Sequence, residues 1–507
     1  MLKDNLILMG KAGDKEIFAY PNMLNRHGLI AGATGTGKTV TLKVLAESLS
    51  DLGVPTFIAD IKSDITGMLY AGKIEGIQER LDSMGIEGFT CTNYPTQFFD
   101  VLGEKGHPVR ATAESIGPEL LGRMLEVTDV QMGVLTIMYR LAKDMGLALL
   151  DLKDLKAMAN YVGEHASEIT TTYGNVSKQS AGAIIRALLR LEEQGGDKFI
   201  GEPEIDIYDW FKTEDGKGMM NILECSNLIN RPILYSSFML WLLTELYENL
   251  PEVGDLPKPK MVFFFEEAHF LFDSAPKSLL DKIEQTVKLI RSKGVGVFFI
   301  TQSPADIPAG VLAQCSNRIQ HALRAYTPSE IKAVKLAAQS FRENPDLDTS
   351  EEILNLKTGY ALISMLDGEG TPTMVEKVKV CPPRSSMNAA DDTKIMIDIK
   401  SDMIYGKYEK EIDNDSAYEG LEREKVREEQ EKLAAEEAAR LEKERIEAEK
   451  KAEKERIAEE KAIEKEKERK AKKQQQEIDR LKRKVINKVE NKALKAAEGL
   501  ILGLFKK

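Results

Sequence analysis

Only four cysteines, Cys91, Cys225, Cys315 and Cys381, are spread over 507 residues. They are too far apart in sequence for a disulfide framework or a zinc knuckle, and their scarcity predicts a reducing, cytoplasmic location. The five histidines, His27, His107, His165, His269 and His321, are equally scattered, and each reads as a local hydrogen-bonding residue rather than a metal ligand. No apolar run reaches the roughly 18 residues that a membrane span needs, and "MLKDNLILMG" has too short an apolar part for a secretion signal. A positive balance is also missing. The formal net charge of -12 argues against a surface coated throughout by nucleic acid, although it leaves room for a local basic channel. No helix-turn-helix, zinc-finger or base-stacking motif is visible, so any contact with DNA is expected to be through phosphates.

What the chain does contain is a glycine- and threonine-rich turn between an apolar strand, "HGLIA", and a helical repeat, "KTVTLKVLAESLSDLG". Gly32, Gly37, Lys38 and Thr39 fit the spacing G-x-x-x-x-G-K-[ST], in which backbone N–H groups at a helix N-terminus converge on phosphate oxygens. Gly32, Ala33, Thr34, Gly35, Thr36, Gly37, Lys38, Thr39 and Val40 are therefore expected to cradle ATP. Lys38 would reach the β- and γ-phosphates, and the Thr39 hydroxyl would sit on Mg²⁺.

Hydrolysis needs a carboxylate for the metal and a base for water, and "MVFFFEEAHF" offers both at the carboxyl end of an apolar strand. Glu266 is expected to bind a metal-held water and Glu267 to polarise the attacking one. The next strand, "GVGVFFI", ends at Thr301 and Gln302, which places Gln302 to sense the γ-phosphate. Arg318 and Arg324 follow, each a candidate arginine finger from a neighbouring subunit or else a structural ion pair. Asp60, Lys62 and Asp64, in "FIADIKSD", read as polar surroundings at the same sheet edge rather than as catalytic groups.

Strands and helices alternate from about residue 22 to 385, which predicts an α/β fold built on a parallel sheet. Expected strands are "HGLIA", "PTFIAD", "MNILEC", "MVFFF", "GVFFI", "RIQHAL" and "YALIS". Residues 1–385 are read as the P-loop ATPase domain, with a helical insertion at about 110–200 and a linker at 386–417. Residues 418–478 are almost all Glu, Lys, Arg and Ala, and form a charged single helix or a coiled coil; their larger apolar residues do not keep a heptad. Residues 479–507 form a basic amphipathic helix that packs on its own protein or oligomer, on a partner helix, or on an anionic membrane.

The segments "GLIAGATGTGKTVTLKVLAE", "FFFEEAHFLF", "LIRSKGVGVFFITQSPADIP" and "NRIQHALRAYTP", with "GEKGHPVR" and "YGNVS", resemble the HerA-like helicase family of YjgR type. That family belongs to the FtsK/HerA branch of RecA-like P-loop ATPases, and the likeness runs over nearly all of residues 1–385. It implies a RecA-like core, a homohexameric ring with ATP at subunit interfaces, and double-stranded DNA threaded through the pore. Glu266 departs from the family pattern, which has Asp there. The roughly 20 residues before the first core strand are too few for the N-terminal β-barrel of HerA proper, so a nuclease partner docked there is not implied. The alternative is an ATP-gated scaffold or protein-remodelling ATPase that works through the charged helix.

Overall fold

The apolar runs become strands of one 13-stranded sheet in a computed structural model that describes residues 1–273 and 277–502. Across its main part the order is Leu6–Ala12, Glu376–Val380, Tyr360–Ser364, Asn317–Gln320, Gly28–Ala31, Val295–Thr301, Met261–Phe265, Thr56–Asp60, Met220–Glu224 and Thr96–Asp100. From Asn317–Gln320 to Thr96–Asp100 every neighbouring pair is parallel. Tyr360–Ser364, Glu376–Val380 and the N-terminal hairpin extend the sheet antiparallel at one side. Each strand expected from the sequence is present. Thr96–Asp100 and Glu376–Val380 were not expected, because "TQFFD" and "EKVKV" lack an apolar run.

Buried on both faces, a parallel strand reads as continuous apolar sequence, yet its alternate side chains enter different layers. Leu29, Phe57, Phe263, Phe265 and Phe299 point into one core, and Ile30, Ile58, Phe264, Phe298 and Ile300 into the other. Leu42, Leu45 and Leu49 of helix Lys38–Asp51 close the second core. The first is covered by helices Pro232–Asn249 and Lys277–Ile290 and by the helices that run from Ala113 to Phe199. Two of these begin with reciprocal capping boxes, Thr128 with Gln131 and Asp151 with Asp154.

The expected linker at 386–417 is instead part of the first compact unit, which runs from Met1 to Leu421. Helix Asp392–Ser401 buries Ile395 and Ile399, and Ile404 and Tyr408 are buried after it. Polar ties hold this strap along its length. Lys43 Nζ donates to Ser386 O at 2.8 Å, Arg110 to Tyr408 O at 2.8 Å, and Ser416 Oγ to Asp154 Oδ1 at 2.6 Å. Apolar anchors spaced among charges hid it in the sequence.

A second unit spans Glu422–Lys507. Its described residues lie within one unbroken helix, Ala417–Leu502, of 86 residues, so no break at 479 separates a charged helix from a basic one. At 1.5 Å per residue this helix is about 130 Å long. Residues 503–507, the end of the expected amphipathic helix, lie outside the described residues. Intrahelical ion pairs line helix Ala417–Leu502, for example Arg445 with Glu442 and Glu449, and Lys470 with Glu466. Such pairs contribute about 0.3–0.5 kcal/mol each, and salt screens them. A peptide of residues 422–502 is expected to be helical by circular dichroism at any concentration and to lose helicity in 1 M NaCl; helicity that grows with concentration would reveal a coiled coil.

Candidate functional site

Gly28–Ala31 delivers the chain to a loop whose conformation only glycine supports at two points. Gly32 has φ +155° and its missing Cβ would lie 2.5 Å from the Cβ of His321; Gly37 has φ +118°. His321 is the floor of this loop. It is buried, with Nε2 2.9 Å from Thr41 Oγ1 and Nδ1 3.0 Å from Tyr360 O, and burial pushes its pKa down to about 4, so the floor is neutral. Helix Lys38–Asp51 starts at Gly37 with no side-chain cap, which leaves its first-turn N–H groups for an anion. The Lys38 ammonium folds back on the loop, donating to Gly32 O at 2.6 Å and Ala33 O at 3.2 Å. Thr36 Oγ1 donates to Ala33 O at 2.7 Å, and the tip, Thr34 and Gly35, is exposed.

The strand order brings the carboxylates to the same edge. Met261–Phe265 is separated from Gly28–Ala31 by Val295–Thr301 alone, and Thr56–Asp60 flanks its other side. Glu266 follows Met261–Phe265, and Asp60 and Asp64 come from the end of Thr56–Asp60 and the loop after it. Oxygens of all three lie within 4.8 Å of one another. Thr39 Oγ1 donates to Asp64 Oδ2 at 3.3 Å, joining the phosphate loop to the cluster. Burial, then Asp60 and Asp64, push Glu266 up to about 8; burial, then Asp64 and Glu224, push Asp60 up to about 7. Glu266 Oε2 and Asp64 Oδ1 are buried with no hydrogen-bond partner among the described residues. Crowded, dry, unpartnered carboxylate oxygens beside a threonine hydroxyl fit a hard divalent cation such as Mg²⁺. From sequence only Thr39 and Glu266 were expected as its ligands. The acidic pair flanking Lys62 in "DIKSD", at the end of a strand, was the signal for the other two.

Glu267 points elsewhere. Its backbone is left-handed, with φ +43°, and turns the carboxylate away from the Glu266 cluster toward Lys62, which pairs with Oε1, and Gln302, whose Nε2 donates to Oε2 at 3.3 Å. Burial alone would raise its pKa; Lys62, Gln302 and Lys38 outweigh burial and hold the carboxylate below its usual range. Gln302 thus contacts the base candidate. Its neighbour Thr301 is fully buried and donates to Asp306 Oδ2 at 2.6 Å.

The two arginines separate. Arg318 sits in mid-strand opposite Leu29, below the loop, and its guanidinium donates to Cys315 O and Leu312 O, both at 3.2 Å. Arg324 is exposed and donates to Leu354 O at 3.0 Å. Among the described residues neither pairs with a carboxylate, so the expected structural ion pair is absent for both.

Residues 5–507 match the family described as Helicase HerA-like C-terminal. Two curated relatives carry the name DNA double-strand break repair helicase HerA. The protein of Sulfurisphaera tokodaii is 23% identical over 72% of this chain and 67% of its own length. That of Sulfolobus acidocaldarius is 22% identical over 68% and 63%. The chain thus spans about two thirds of the length of these relatives. Among solved structures, the bacterial conjugative coupling protein TrwBdeltaN70 superimposes with a TM-score of 0.51 at 14% identity, over 77% of this chain and 92% of that one, a likeness of fold. With a phosphate loop and paired carboxylates on a RecA-like sheet, and a family match over almost its whole length, this chain belongs to the HerA-like helicase C-terminal family and is a P-loop ATPase of helicase type.

Proposed function

We propose that the chain hydrolyses ATP with Mg²⁺ as a ring-forming motor that moves on double-stranded DNA. The observation that carries the ATPase half is the meeting of the phosphate loop with two differently tuned glutamates at one sheet edge. The uncapped helix start and Lys38 bind the phosphates; Thr39, Asp64, Asp60 and Glu266 would hold the cation. When bound, Mg²⁺ neutralises charge on the phosphate oxygens. Glu267, kept ionised, accepts a proton from the attacking water. Arg324, exposed, is the arginine available to a neighbouring subunit's nucleotide, whereas Arg318 is committed to its own backbone.

Lys38→Ala removes the charge-assisted contacts to phosphate and is expected to weaken ATP binding on the order of 10- to 100-fold, measured by calorimetry. The DNA half is supported by the relatives' names and is tested by turnover. ATPase rate should rise with long duplex DNA, and the rise should shrink between low and moderate salt, because contacts to phosphate release counterions. The same stimulation should survive truncation after Leu421.

A second reading is favoured by the 86-residue helix: an ATP-gated scaffold or protein-remodelling ATPase that engages a protein or an anionic membrane through this helix. No stimulation by DNA at any salt, with partner binding lost on removing residues 479–507, selects it.

A further inference from the structure

Lys62 has no place in the expected phosphate loop or carboxylate pair, yet it makes the principal contact to Glu267. Each oxygen of that carboxylate already has a donor, Oε1 the Lys62 ammonium and Oε2 the Gln302 amide, and His269 Nδ1 also lies 3.3 Å from Oε2. A carboxylate oxygen can accept two hydrogen bonds, but a carboxylate whose charge is offset by an ammonium in direct contact is a poor base toward water. The two ends of the ion pair differ in freedom. The Glu267 side chain is 5% exposed, and that of Lys62 is 41% exposed.

The backbone under Lys62 is fixed. Its own N–H donates to Asp60 Oδ1 and that of Ile65 to Asp60 Oδ2, both at 3.1 Å. Thr66 Oγ1 donates to Ser63 O at 2.9 Å, and Ser63 Oγ to Glu224 Oε2 at 3.1 Å. A rigid base carrying a four-carbon stem lets the ammonium sweep without moving the loop. Lys38 is not engaged with Glu267; its ammonium lies on Gly32 O and Ala33 O. The site therefore holds two lysines that approach from opposite sides. Lys38 rises from the phosphate loop, and Lys62 reaches in from the strand beyond Met261–Phe265.

We propose that Lys62 is a second phosphate-facing lysine that gates the base: without a triphosphate its ammonium is paired with Glu267, and the arriving terminal phosphate draws it away, leaving the carboxylate without its counter-charge and able to take a proton from water. This rests on reading the site as an ATP site with Glu267 as its base. The exchange is of ion-pair partners only. ADP lacks the group that draws Lys62, so the gate distinguishes the two nucleotides.

The test is calorimetric binding of ADP and of a non-hydrolysable ATP analogue, both with Mg²⁺, to the full chain. Lys62→Met should weaken the analogue about tenfold and ADP less than about twofold, the loss of one charge-assisted contact. Lys62→Arg should keep the preference for the analogue. Glu267→Gln, which releases Lys62 from its competing partner, should tighten the analogue several-fold, and this gain should vanish in the Lys62→Met, Glu267→Gln double variant. Equal weakening of both nucleotides by Lys62→Met overturns the gate alone, as does a gain from Glu267→Gln that persists in the double variant. Should Lys62→Met not fold, a Glu267→Gln variant that binds the analogue no tighter than wild type overturns it as well. If wild type binds neither nucleotide, the ATP-site reading falls and the gate with it.

Discussion

Glu267→Gln is expected to lower the steady-state ATPase rate by roughly 10²- to 10⁴-fold while leaving ATP bound, the range for loss of a general base. The amide matches the carboxylate in shape and keeps a carbonyl oxygen for Gln302, but it cannot accept a proton from water. Glu266→Gln should behave differently, because Glu266 is buried beside Asp60 and Asp64 and carries one of the unpartnered oxygens. Its loss should weaken Mg²⁺ binding, read as a rise in the Mg²⁺ concentration for half-maximal rate. Single-turnover phosphate release separates the two variants. Full turnover in Glu267→Gln would remove Glu267 from the role of base.

The second large effect lies away from the nucleotide. His107 is fully buried, with Nδ1 2.5 Å from Glu409 Oε1 and Nε2 3.1 Å from Asp402 Oδ2, so both nitrogens donate and the ring is held as imidazolium. Burial pulls its pKa down, but Asp402 and Glu409 outweigh burial and the net direction is up. Burial pushes the two carboxyls up, and His107 with their other partners brings both below the usual range. Asp402 has two further donors, Gln97 Nε2 at 3.0 Å and Ile404 N at 3.2 Å.

The signs follow from linkage. The stability from raised His107 is fully present below its unfolded value, about 6.5, and is lost as pH rises through the folded value. That from the lowered carboxyls is present above about 4 and is lost as pH falls through their folded values. The strap is therefore held through the mildly acidic range and loosens on the alkaline side. His107→Ala leaves Asp402 buried against fewer donors and should cost about 3 kcal/mol, the low end for breaking a buried pair because Glu409 is partly exposed. Hydrogen exchange of residues 402–412 should speed up by roughly two orders of magnitude, and the protection factors should lose their pH dependence. Unchanged exchange would show that Tyr408 and Asp209, with Tyr408 Oη 2.5 Å from Asp209 Oδ2, suffice to hold the strap.

The phosphate loop and the Glu266–Glu267 pair were legible because each is a local pattern: a fixed spacing of glycines and a lysine, and an apolar run ended by two carboxylates. Lys62, Asp60 and Asp64 were read as surroundings because their importance depends on which strand lies next to Met261–Phe265, and sequence does not state strand order. Arg318 shows the same limit in register. From sequence it follows the sensor strand, but its pairing with Leu29 sinks it below the loop and onto backbone carbonyls. The strap was missed for another reason. Ile395, Ile399, Ile404 and Tyr408 are few and set among charges, and a stretch of that composition reads as a connection until its partners are known.

The N-terminal hairpin joins the sheet by pairing Gly10 with Val380 and Lys11 with Lys379. About 370 residues must leave the ribosome between the synthesis of one strand and that of its neighbour. At 5–20 residues per second this is roughly 20–75 s. Throughout that interval Ile7, Leu8 and Met9, buried at the end, have no sheet to join. The nascent chain thus carries an unpaired apolar edge over the whole of that interval, which is a demand for chaperone cover set by topology rather than by composition.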